Sequence, residues 1–194
     1  MSTFAKVSFI DKNKGKTMKT LQQQLGKYGL YHRSKRNVLT HFFGIPLIVF
    51  AALCLLARIQ IPLGSIVIDG AQLFVLASVV YYFMLSFSLG FIMAVIFTLL
   101  IVAAQPIAAM AFWPWLSIGV GVFVFGWVLQ FIGHYYEGKK PAFVDDLIGL
   151  IIGPLYVTVE LLFLMGFYRD KPHRPPCILC FQILEDICKE DLLI

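Results

Sequence analysis

The chain has 194 residues, 59% hydrophobic and 14% charged, with a formal net charge of +5 and a mean hydropathy of +0.82. A soluble domain averages about 45–50% apolar and about 25% charged residues, so this chain carries more apolar surface than a water-soluble core could bury. That composition excludes an ordinary soluble enzyme or nucleic-acid-binding module and predicts an all-α, multi-pass integral membrane protein whose first partner is the lipid bilayer.

In chain order, residues 1–16 read as a flexible leader carrying Lys6, Lys12, Lys14 and Lys16. From Thr17 to Tyr31, Met18, Leu21, Leu25, Tyr28 and Leu30 recur at near-helical spacing among Gln and Lys, which predicts a short amphipathic helix on the membrane surface. Residues 1–36 hold nine Lys/Arg against one acid, Asp11, so the positive-inside tendency places the N-terminus in the cytoplasm. Four spanning helices are expected at about 42–59, 66–85, 87–105 and 114–133, each near the roughly 20 residues that cross a bilayer core. Ile61-Pro62-Leu63-Gly64 marks the first turn and Gln105-Pro106 the third, while the second and third spans meet near Ser86-Phe87-Ser88 without an obvious loop.

A fifth apolar run, Leu147 to Tyr168, is long enough to cross, but it contains Gly153-Pro154 and Glu160. A crossing would carry Arg169, Lys171 and Arg174 outside, against the charge rule; a re-entrant segment pivoting at Gly153-Pro154 would return them, and both readings stand. Residues 17–168 thus form one helical membrane domain, followed by a polar tail, 169–194. In that tail His173, Cys177, Cys180 and Cys188 have a spacing that could in principle bind zinc, but with one Cys-x-x-Cys pair and two stray partners the preferred reading is a reduced tail facing a reducing compartment. The absence of a retention signal points to a bacterial inner membrane, or to the endoplasmic reticulum in a eukaryote.

Two polar stretches flank the spans. Between Asn37 and Tyr136 the only formally charged side chains are Arg58 and Asp69, so polar groups at the edges of this region are functional candidates. His32, Asn37 and His41 lie in the first stretch; His134 and Glu137, three residues apart on a helix end, lie in the second. Four crossings between His41 and His134 is an even number, so both reach the same face. Asn37 and His41, four apart, share a helix face, whereas His32 is nine residues from His41 and needs a break near Ser34 to join it. Asp145 and Asp146 suit a helix N-terminus, and Glu160 is a candidate partner for an imidazole N–H. Three histidines so placed suggest a metal site; imidazole suits Zn, Cu, Fe and Ni alike.

The pattern Tyr-His-x4-Asn-x3-His-x2-Gly-x-Pro at 31–46, followed by Gln-Phe-x-Gly-His at 130–134, resembles the 2-hydroxy fatty acid (2-hydroxy-palmitic acid) dioxygenases. Glu137, Lys139-Lys140-Pro141-Ala142, Asp145, Gly153-Pro154 and Glu160 extend the likeness, which runs from about Leu21 to Gly166. The resemblance implies an Fe(II)-dependent, non-haem membrane enzyme that uses dioxygen to shorten 2-hydroxy fatty acids by one carbon (fatty acid α-oxidation), in fungal members for sphingolipid degradation. It makes His32, His41 and His134 the iron ligands and catalytic residues. Fungal members carry a second histidine where this chain has Arg33, and place the glutamate one residue further on than Glu137. Glu137 or Asp145 is therefore a candidate to complete the ligand set. Arg33, Lys35 and Asn37 are the expected substrate-binding residues, with Glu160 behind the ligands. Two other classes compete: a non-catalytic transporter or assembly factor whose polar edge binds headgroups, and a zinc-dependent lipid hydrolase.

Overall fold

The structure, a computed structural model, describes residues 35–138 and 148–165 together with Leu25. In chain order the elements are α1 (Lys35–Leu56), β1 (Gln60–Leu63), β2 (Ile66–Asp69), α2 (Gly70–Leu85), α3 (Phe87–Ala108), α4 (Phe112–Glu137) and α5 (Ile148–Leu164). Three helices, over Arg36–Leu56, Phe87–Ala108 and Phe112–Tyr136, are long and apolar enough to cross a membrane. At 1.5 Å per residue, the 22 residues of α3 reach about 33 Å, against a hydrocarbon core of about 30 Å. The 16 residues of α2 and 17 of α5 reach only about 24–26 Å.

The first connection differs from its expected form. Ile61-Pro62-Leu63-Gly64 is not a bare turn, and the second span does not begin at Ile66. Residues 60–69 instead form an antiparallel β-hairpin, with Gln60 opposite Asp69 and Leu63 opposite Ile66. The β-branched Ile61, Ile66, Val67 and Ile68 favour extended backbone, and Gly64, at φ +64°, supplies the positive φ that a two-residue hairpin loop requires. Asp69 then starts α2 through a reciprocal cap. Its Oδ1 accepts from the Gln72 backbone N–H at 2.8 Å, and Gln72 Oε1 accepts from the Asp69 N–H at 3.1 Å.

The join between α2 and α3 is a single extended residue, Ser86. A Cβ on Gly90 would stand 2.8 Å from the Phe83 Cα, so the turn closes this tightly only with glycine there. Pro106 does not end its helix; α3 continues to Ala108. Nor does Gly153-Pro154 act as a pivot: α5 runs through it unbroken. Proline lacks an N–H and removes one bond from each helix, yet both helices continue through it.

The core has two parts. Tyr82, Leu89, Met93, Phe97, Ile152, Leu155, Tyr156 and Val159 bury against one another between α2, α3 and α5, with Leu25 among them. Leu25 belongs to the expected surface helix, the rest of which lies outside the described residues; this one side chain is in the core. Leu53, Cys54, Ala57, Ala71 and Ala104 form the second part, between α1, α2 and α3. Outward-facing Leu39, Phe43, Leu76, Val80, Phe91, Leu99, Val124 and Phe131 present the apolar exterior that lipid requires.

Candidate metal centre

Helices α1 and α4 run antiparallel and meet along a seam of small residues. Gly119, Gly126 and Gly133 are seven residues apart, as are Leu55, Ile48 and His41 on the facing helix. A Cβ on Gly119 would stand 2.6 Å from Leu55 Cδ2, one on Gly126 2.7 Å from Ile48 Cγ1, and one on Gly133 3.1 Å from His41 Nδ1. A seven-residue repeat keeps one stripe facing its partner as two helices wind about each other. In lipid, such close approach replaces the hydrophobic effect as the source of helix association.

The polar end of this seam holds the site. His41, in the second turn of α1, and His134, in the last turn of α4, are 1% and 6% exposed. Their rings meet edge to face, centroids 4.8 Å apart, with Nε2 to Nε2 at 3.2 Å. His41 Nδ1 lies 2.9 Å from the Asn37 backbone oxygen. A carbonyl oxygen can only accept, so Nδ1 carries a proton, and in the neutral imidazole the Nε2 lone pair faces His134. Thr40 Oγ1 donates to the same oxygen at 2.8 Å. Asn37 is fully buried, and Gly133 makes room for it: a Cβ there would stand 2.5 Å from Asn37 Oδ1.

The surroundings fix the depth of the pair. On α4, exposed Phe112 and Trp113 mark one end, and exposed Tyr135 and Tyr136 the other. Trp113 and Tyr135 are about 33 Å apart along the axis, the separation expected of aromatic belts at the two faces of a bilayer. His134 therefore sits at the level of one belt. Here the Arg36 guanidinium lies 5.2 Å from the centre of the Tyr136 ring, joining the start of α1 to the end of α4. The C-terminal carbonyls of α4 favour a cation and the start of α1 an anion. Gly138, left-handed at φ +68°, closes α4 with its N–H on the His134 oxygen at 3.0 Å.

The opposite end of the bundle is tied by the two charges that the apolar region contains. Arg58 Nε donates to the Ala108 oxygen at 2.9 Å and Nη2 to that of Met110, and the guanidinium stacks 4.4 Å from the Trp115 ring. Asp69 Oδ2 accepts from Gln105 Nε2 at 3.2 Å. These bonds cap helices and carry no site.

Of the sequence-derived site residues, the structure brings together His41, His134 and Asn37. Lys35 opens α1 and Glu137 closes α4, which puts both at the same end. Glu160 is half-buried on α5. His32, Arg33 and Asp145 lie outside the described residues, as do His173, Cys177, Cys180 and Cys188. Among the described residues, no third His, Cys, Asp or Glu joins the pair. Thr40, Gly133 and Gln130 belong to the site without having been singled out for it. The seven-residue glycine spacing is the signal that could have found Gly133.

The donor set fits a metal ion. Two nitrogens each about 2.1 Å from one ion and at right angles to each other stand about 3.0 Å apart, close to the 3.2 Å observed. The Nδ1–H to carbonyl bond of His41 is the outer contact that orients a ligating imidazole.

Paired buried imidazoles at one face of a helical membrane bundle define the class: a membrane protein with a candidate metal centre at the interface. The family described as 2-hydroxy-palmitic acid dioxygenase Mpo1-like matches residues 18–165, and the chain belongs to that family. It is 35% identical over 156 residues to the 2-hydroxy-palmitic acid dioxygenase MPO1 of Saccharomyces cerevisiae, covering 79% of this chain and 86% of the yeast protein. No solved structure matches.

Proposed function

We propose that this chain is an Fe(II)-dependent membrane dioxygenase that converts 2-hydroxy fatty acids to acids one carbon shorter. Family membership and the yeast relative's name support the substrate class and the use of dioxygen. The observation that carries the metal is the 3.2 Å approach of two buried Nε2 atoms, one of them a lone pair by its partner's chemistry. His41 and His134 would hold the ion, with His32 as the third imidazole and Glu137 or Asp145 as a carboxylate.

Bound Fe(II) would supply the one-electron chemistry that lets dioxygen react with a closed-shell substrate. The overall conversion balances as R-CH(OH)-COOH plus O2 giving R-COOH, CO2 and water, with cleavage of the C1–C2 bond. His41 keeps its proton on Nδ1 against Asn37 and its lone pair toward the centre. Arg36, with Arg33 and Lys35 beside it in sequence, makes the mouth attractive to a carboxylate. The interfacial depth suits an amphiphile whose head reaches the centre while its tail stays among apolar side chains.

The deciding experiment is metal analysis of the purified protein, followed by incubation with 2-hydroxy-palmitic acid with and without dioxygen. Stoichiometric iron and an oxygen-dependent acid one carbon shorter are expected. An oxygen-independent hydrolytic activity with zinc would overturn the reading, as would metal-free protein with full turnover.

A further inference from the structure

Gln130 stands one turn before His134 on the same face of α4 and is 5% exposed. Its Nε2 packs over Gly44 of α1, which lies three residues after His41; a Cβ on Gly44 would come within 2.5 Å of that nitrogen and 3.0 Å of the Gly126 oxygen. The carboxamide thus lies in the α1–α4 seam, one helical turn from His134 along α4, where glycine at position 44 leaves room for it. That nitrogen has no hydrogen-bond partner among the described residues. A buried donor left unsatisfied is destabilising, and more so in lipid, where no water reaches it. A polar group held at such a cost beside a reactive centre is a binding group waiting for its acceptor.

We infer that the Gln130 carboxamide N–H is the donor that receives the carboxylate of the 2-hydroxy acid. This inference rests on the function proposed above and assigns the contact that fixes the acid head beside the imidazole pair. A carboxylate is acceptor-only, and a bond donated to it by an amide N–H is charge-assisted, about twice as strong as one between neutral groups. The group acts on binding rather than on bond cleavage, so its loss raises KM more than it lowers kcat.

Gln130→Met, which keeps length and removes both N–H groups, is the test. Three quantities are measured for it and for the unaltered chain: iron content, thermal midpoint in detergent without ligand, and anaerobic affinity for 2-hydroxy-palmitic acid. The variant is expected to keep its iron, to melt at the same temperature or higher, and to bind the acid at least about tenfold more weakly. Gln130→Asn, with the amide withdrawn by one methylene, is expected to fall between. An affinity within twofold of the unaltered chain overturns the inference. So does a lowered midpoint without ligand, which would mark the amide as a satisfied structural group. Failure of the unaltered chain itself to bind the acid would overturn the proposed function together with this inference, whereas binding that is indifferent to residue 130 overturns the inference alone.

Discussion

His41 is held from behind by a hydrogen bond and from the side by a helix that approaches without a side chain in the way. The first hold makes its nitrogen available, and the second brings His134 to it. On the proposed function, replacing either imidazole by alanine is expected to remove both stoichiometric metal and turnover, the latter by more than about a hundredfold, since a ligand would be lost and not only its outer partner. Retention of iron by either variant in elemental analysis would take that residue out of the centre. Gly133→Ala is the subtler case. Its methyl group would press on Asn37 Oδ1 and Thr40 Oγ1 and stand 3.1 Å from His41 Nδ1. Displacing an outer partner of a ligand typically lowers metal affinity or activity by about 10–100-fold. Unchanged helix content by circular dichroism, with metal lost in proportion to activity, is the expected signature.

At the scale of elements, the α1–α4 seam sets the site and the Arg58 clamp ties down the other end. Gly126→Val should push α1 away through Ile48 and the Gly44 backbone. Overpacking of this kind costs about 1–3 kcal/mol, readable as a lower thermal midpoint, and it should open the imidazole pair and reduce turnover although residue 126 is two turns from His134. Arg58→Ala should lower stability by about 1.5–3 kcal/mol, the worth of hydrogen bonds made by a charged group. It should leave turnover per folded molecule unchanged at low temperature, because the clamp lies at the far end of α1. Hydropathy revealed the long helices and the Ser86 join, because a run of Leu, Ile, Val and Phe can hardly be anything else in lipid. It misjudged residues 60–69, where an apolar, β-branched stretch reads alike as helix or strand; the Gly64-Ser65 turn and the Asp69-x-x-Gln72 cap were the distinguishing marks. At Gly153-Pro154 the sequence left a pivot and a continuous helix equally open, because proline often breaks a helix but is tolerated inside a bundle at membrane depth; the helix is continuous.

For the whole molecule, the order of crossings returns the start of α1 and the end of α4 to one face. The hairpin over residues 60–69 stands at the other. With native cysteines replaced by serine, Arg36→Cys and Ser65→Cys should react with a membrane-impermeant thiol reagent from opposite sides of sealed vesicles. Labelling of both from one side would refute the arrangement. His41 and His134 do converge, although of the four crossings counted for them three are matched by helices long enough to span and the second by the shorter α2. Gln130 and Gly133 stood in the Gln-Phe-x-Gly-His motif and Gly119, Gly126 and Gly133 at a seven-residue spacing, but what they pack against became clear only once the facing helix was known. The two imidazoles lie 93 residues apart in the chain, on α1 and α4. A nascent polypeptide therefore exposes one without the other until α4 has been synthesised, so whatever the assembled pair does stays switched off through most of the chain's own biosynthesis.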